Sequence, residues 1–151
     1  MHPLGPVLDD VIPALVADGL YSSDRVIEWS KLVGSCQGFM MLSPQYHWGY
    51  PGDMKNALDH LYKEWLGKPA MLVTYGGHGG GKCDQQLRQV LEGLHMKVVP
   101  EKVNISLSSD CIRTSARVTY ESDSDPGSFL ETYTTALDCA IDQFRTLFVS
   151  T

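Results

Sequence analysis

The sequence is short of positive charge. Across 151 residues, 12 Lys and Arg stand against 18 Asp and Glu, a net charge of −6. Such a chain repels the phosphates of nucleic acid and of anionic membranes, so neither is expected as a general partner. The four cysteines lie far apart, at 36, 83, 111 and 139, and no two have the C-x2-C spacing of a zinc site. The five histidines form no H-x3-H pair, so no metal is expected. No apolar run approaches the roughly 20 residues of a membrane-spanning helix. The opening Met-His-Pro-Leu-Gly-Pro has neither the basic start nor the apolar stretch of a secretory signal. These absences point to a reduced, cytoplasmic protein with free thiols.

What is present reads as one domain over residues 1–151 with an ordinary core. Residues 1–22, rich in Pro and Gly, read as a surface arm. Ser23 and Asp24 are expected to cap a helix running to about Val33. The unbroken apolar run from Gly38 to Ser43 reads as a strand buried on both faces. A loop, PQYHWGYPGD, follows, then a helix from about Asp53, as its cap, to Trp65. Ala70 to Thr74 reads as a second buried strand. A helix from about Lys82 to Gly93 comes next, with Gly93 as C-cap. Lys97 to Leu107 reads as a third strand, residues 108–127 as irregular with a turn at Asp125-Pro126-Gly127, and Ser128 to about Val149 as a last helix. Apolar strands alternating with helices imply an α/β fold, a parallel sheet with helices on both faces. Ligands of such sheets bind beyond the carboxyl ends of the strands. The loops at 44–53 and 75–82 both lie there and are expected to be neighbours.

The second of these loops, YGGHGGGKC, is one residue short of a phosphate-binding loop for nucleoside triphosphates. Cys83 stands where Ser or Thr must meet Mg²⁺, and no other strand ends in the Asp that would hold the metal. A bare turn needs fewer glycines than the five in residues 76–81. Their number suggests backbone that approaches a ligand closely. Tyr46, Trp48 and Tyr50 add aromatic rings on the other loop. A flat aromatic ligand suits this combination, and a subunit interface is the alternative use for the aromatics. His47 reads as a general acid, a hydrogen-bond donor or a surface histidine; Lys55, Asn56 and Asp59 read as capping and solvated charge; Trp65 reads as packing and Cys83 as an inert thiol.

The stretch SPQYHWGYPGDMKNALDHLYKEWLGKPAMLVTYGGHGGGKCDQQLRQVL closely resembles the NADPH-dependent FMN reductases and quinone reductases, the fungal-type members most. Their pattern is a P-[EQ]-Y-N loop, then G-x-P-x-x-L-K-N-A-[IL]-D, G-K-P, a strand and Y-G-G-x-G-G. The resemblance implies a flavodoxin-like three-layer sandwich, FMN and NADPH as cofactors, and a homodimer or tetramer. It implies hydride passing from NADPH to FMN to a small quinone or aromatic acceptor. On this resemblance Pro44, Gln45, Tyr46, His47 and Trp48 hold the isoalloxazine, and Tyr75, Gly76, Gly77 and His78 line its other side.

Two departures stand out. His47 replaces the family's Asn and can titrate. The family's first strand and its Ser/Arg-bearing phosphate loop have no counterpart here, so the resemblance implies an N-terminally truncated domain without the anionic anchor for FMN. Two further readings follow: a piece of such an enzyme, or a flavin-free homologue. The latter would be a non-redox isomerase or dehydratase of an aromatic metabolite with His47 as acid or base, or an oligomeric binding module.

Overall fold

A computed structural model describes residues 4–7, 9–113 and 127–149. The chain runs through a short 3-10 turn (Pro13–Leu15), α1 (Asp24–Ser35), β1 (Phe39–Pro44), α2 (Gly52–Asp59), β2 (Pro69–Gly76), α3 (Gly81–Gly93), β3 (Lys97–Val98), β4 (Val103–Ser106), α4 (Ser109–Arg113) and α5 (Gly127–Val149). All strand pairings are parallel. β2 is central: it pairs with β1 from Phe39↔Ala70 to Pro44↔Tyr75 on one side, and with β3 and then β4 on the other. The expected third strand is therefore broken in two. Pro100 sits in the break, between the segments that pair with Ala70 and with Val73, and a proline has no amide hydrogen to give a ladder.

β2 explains the three layers. Its residues alternate in direction: Ala70 and Leu72 join a core with Val26, Val33, Leu58, Leu61, Trp65, Leu87 and Leu91 from the side of α1, α2 and α3. Met71 turns the other way and packs with Val99, Val103 and Ala140 beneath α5. Burying both faces of one strand requires the unbroken apolar run that the sequence shows, and each fully buried large apolar side chain contributes about 1.5–3 kcal/mol. β1 is different. Phe39 and Met41 pack into the first core, but Met40 and Leu42 are 68% and 64% exposed on the other face.

Several local expectations are corrected. The segment up to residue 22 is no loose arm: Val16 and Tyr21 are 4% and 5% exposed and belong to the core. Tyr21 Oη donates to Glu64 at 2.7 Å, and Lys63 Nζ donates to the Val16 carbonyl. Asn56 Nδ2 and His60 Nε2 both bond the Gly5 carbonyl. Asn56 thus holds the N-terminal segment, while Lys55 and Asp59 form the solvated i,i+4 pair expected of them. Ser23 occupies the N-cap of α1 without a side-chain cap bond, and Pro51, not Asp53, is the N-cap of α2.

α2 ends at Asp59 rather than Trp65 because the chain bends to bury Leu61 and Trp65. The indole of Trp65 donates to the Leu58 carbonyl, one of the acceptors that a continuing helix would need. α3 closes through His95 at φ +56, so that residue and not Gly93 takes the left-handed position. Residues 109–113, expected to be irregular, form α4. Of the expected turn at 125–127, only Gly127 lies within the described residues, and it begins α5.

Candidate functional site

The site lies at the carboxyl ends of β1, β2 and β4, where three loops meet. The first leaves β1 at Pro44. Gln45 continues the ladder for one bond, its amide donating to the Tyr75 carbonyl at 2.8 Å. Tyr46 and Gly49 then exchange both backbone hydrogen bonds, at 2.8 and 2.9 Å, around His47 and Trp48. Both central residues have positive φ, +44 and +68, the pattern of a type I′ hairpin turn. Asn and His tolerate this region better than most residues, so His47 is accepted here on backbone grounds. Trp48 has no such excuse; bulky side chains are rarely found there, and backbone strain clusters at functional sites.

The second loop leaves β2 at Gly76. Gly80, at φ +71, is the N-cap of α3. A Cβ there would lie 2.7 Å from the Tyr75 amide nitrogen and 2.9 Å from the Thr74 carbonyl carbon, so only glycine lets the helix start this close to the strand. Gly80 has no side chain with which to cap α3. Gln45 does it from the first loop: its Oε1 accepts from the amides of Lys82 at 3.0 Å and Cys83 at 3.2 Å.

The two loops therefore meet as expected. Trp48 stacks on His78, with ring centroids 6.1 Å apart and 26° between planes. Tyr46 and Trp48 are 60% and 64% exposed, whereas Tyr50 packs against the core and burial raises its phenol pKa. His47 and His78 are both exposed. Tyr75 and Gly76 end β2 in half-buried positions, and Gly77 is exposed beside Ile112 of α4. Cys83 is fully buried, 3.5 Å from the Ser43 hydroxyl. Burial raises its thiol pKa, as befits an inert cysteine. With Cys83 inside and two amides of the first turn of α3 bonded to Gln45, the triphosphate arrangement is ruled out here.

The third wall was missed in the sequence. Asn104 accepts from the buried Thr74 hydroxyl at 2.9 Å, and Ser106 and Asn104 lie against Gly79. Asparagine is depleted in strands, so Asn104 in the middle of an apolar run was a usable signal. Gln86, which donates to the Trp48 carbonyl at 3.1 Å, carried none, since a polar residue on a helix is ordinarily solvated. A groove of about 540 Å³ lined by Cys36, Lys68, Pro69, Lys97 and Phe148 lies at the opposite end of the sheet, away from these loops.

The model of the NADPH-dependent FMN reductase family matches residues 6–110. The chain belongs to this family. It is 48% identical over 92 residues to the NAD(P)H-dependent FMN reductase LOT6 of Saccharomyces cerevisiae, a match covering 60% of this chain and 48% of that protein. To the NAD(P)H-dependent FMN reductase C4B3.06c of Schizosaccharomyces pombe it is 42% identical over 110 residues, 73% of this chain and 54% of the relative. The quinone reductase of Escherichia coli is 28% identical over 105 residues, 60% of this chain and 56% of the relative. The chain spans about half the length of the curated relatives it matches.

Among solved structures, the flavoenzyme NAD(P)H:(acceptor) oxidoreductase FerB from Paracoccus denitrificans superposes with a TM-score of 0.59 at 20% identity, over 91% of this chain and 76% of FerB. The apo form of the NADH:FMN oxidoreductase EmoB gives 0.55 at 23% identity, over 91% and 67%. These establish the flavodoxin-like α/β fold. No helix among the described residues is long and apolar enough to cross a membrane.

The family's flavin can be tested against this geometry. An isoalloxazine needs flat apolar cover and hydrogen-bond donors for its polar edge. The rings of Tyr46 and Trp48 supply the cover. Among the described residues, the amides of His47, Trp48, Gly77 and His78 have no protein acceptor, which leaves donors at both loops. The ring part of the cofactor fits.

Proposed function

We propose that the chain acts as an FMN-dependent NAD(P)H oxidoreductase on a small quinone or related aromatic acceptor. The observation that carries this reading is the junction of the two loops at the strand ends: Trp48 stacked on His78, beside backbone amides left free for a ligand. The relatives' names point the same way, two being FMN reductases and one a quinone reductase.

Bound FMN would supply the hydride chemistry, accepting from NAD(P)H and reducing the acceptor. The chain's part is placement. Pro44, Gln45, Tyr46, His47 and Trp48 form one side of the ring site, and Tyr75, Gly76, Gly77 and His78 the other. Trp48 and Tyr46 exclude water from the ring face. His47 is assigned a hydrogen bond to the ring edge from the turn; among the described residues no carboxylate bonds its imidazole, so it lacks the orienting partner of a general base. A non-redox role with His47 as acid or base has no observation in its favour. The same proposal includes a cytoplasmic location and a homo-oligomer, for which exposed Met40, Leu42 and Trp48 supply apolar contact surface.

The deciding experiment is direct. FMN added to the purified chain should give a perturbed flavin spectrum, quenched flavin fluorescence and NAD(P)H-dependent quinone reduction. Folded protein that leaves the spectrum of added FMN unchanged would refute the proposal.

A further inference from the structure

Two glutamines tie the aromatic turn to helix α3 from opposite directions. Gln45 precedes the turn, and its side-chain oxygen accepts the amides of Lys82 and Cys83 at the start of α3. Gln86 lies one helical turn further along α3, and its side-chain amide donates to the Trp48 carbonyl inside the turn. The backbone is shaped to admit this contact. A Cβ on Gly49 would stand 2.6 Å from the Gln86 side-chain oxygen, so a larger residue after Trp48 would push the Gln86 side chain from its present place. The segment so held is the one with positive φ at both His47 and Trp48, a conformation that persists only where its surroundings impose it.

The two bonds are complementary. The α3 amides offer donors and need an acceptor; the turn carbonyl offers an acceptor and needs a donor. A glutamine side chain carries both, but each of these two uses one end toward the other loop. For Gln45 the oxygen is committed to the helix, which leaves its amide group alone for any ligand.

We propose that Gln45 and Gln86 act together as positioning residues, a two-point clamp that sets the turn bearing Tyr46, His47 and Trp48 against the glycine loop and so fixes the width of the ring site. The clamp itself is a property of the folded chain. Its role in binding rests on the flavin reading above.

The test separates the two. In the chain without added flavin, amide hydrogen exchange is measured for Lys82, Cys83, Tyr46 and Gly49, together with thermal unfolding. Gln45→Leu should speed exchange at Lys82 and Cys83, and Gln86→Leu at Tyr46 and Gly49, each by roughly tenfold. Gln45→Glu keeps an acceptor at the helix start and should restore protection at Lys82 and Cys83. FMN titrations then read the second half. Both leucine variants should weaken FMN by roughly tenfold. Unchanged exchange in both leucine variants would overturn the clamp. Lost protection with unchanged FMN affinity would overturn its positioning role. If the unmodified chain shows the protection but binds no FMN, the clamp stands and the flavin reading falls. Should Gln45→Leu fail to fold, Gln86→Leu and Gln45→Glu still decide the matter.

Discussion

The indole of Trp48 lies over the imidazole of His78, 6.1 Å between centroids and 26° from parallel, joining the loop after β1 to the loop after β2. Neither ring is part of the core, so their contact is available to a ligand rather than committed to stability. Trp48→Ala should therefore change unfolding free energy by no more than about 0.5 kcal/mol. It should weaken a flat aromatic ligand by about 2- to 10-fold, the worth of one aromatic contact. Trp48→Phe should retain most of the affinity. Thermal unfolding and flavin fluorescence titration of the same samples check both halves.

The glycine loop is predicted to be far less tolerant at one position than at another in the same helix. At Gly80, φ is +71 and an added Cβ meets backbone at 2.7 Å. Gly80→Ala should cost about 1–3 kcal/mol and loosen the start of α3. At Gly93 an added Cβ meets nothing within 4 Å. Gly93→Ala should stabilise by about 0.4–1 kcal/mol through the unfolded chain. Chemical denaturation of the two variants should give shifts of opposite sign.

Cys83 supplies a pH test. Burial raises its thiol pKa above the ordinary 9.0, and burial likewise raises Tyr21 above 10.0. In that range the folded chain holds protons that the unfolded chain has lost, so stability is fully present below about pH 9 and declines as pH rises. The slope above pH 9 should be shallower in Cys83→Ala. In the native state a thiol reagent should modify the exposed Cys139 readily and Cys83 only on unfolding. Peptide mapping of the labelled protein distinguishes them.

The loops proposed to face the ring, residues 45–51, 77–80 and 107–108, contain no lysine or arginine. On the proposed function, these loops meet the ring and offer no side-chain cation to a phosphate. Riboflavin should therefore bind this chain within about threefold of FMN, because no phosphate ion pair at these loops separates the two. Parallel titrations measure the ratio. A preference of a hundredfold or more for FMN would mean that another part of the chain holds the phosphate.

The strand positions were legible because each is a short apolar run between helices, but only β2 is buried on both faces: β1 leaves Met40 and Leu42 exposed, and the third run is broken in two. The two loops were legible as neighbours from their place at the strand ends, and Trp48 and His78 do bring them together, whereas Tyr50 packs against the core. Element ends were less so. Nothing in the local pattern marks α2 as stopping at Asp59, since Leu61 and Trp65 continue a helical spacing; they are pulled inward by the core formed with Phe39 and Trp29. Likewise Val16 and Tyr21 gave no local sign of burial. They are covered by contacts with residues more than 40 positions away.

By itself, the sequence determined the α/β class and the two loops at the strand ends, because these follow from periodicity and from residue chemistry at short range; the family followed from the resemblance of its motifs. The tertiary structure alone decided what the loop residues do. Gln45 reads in sequence as one more site residue and in space as the cap of a helix that starts 36 positions later at Gly81. Gln86 reads as a solvated helix residue and in space holds the turn of Trp48. A hydrogen bond between distant segments depends on which donors and acceptors the fold leaves unpaired, and only the packed sheet and helices settle that.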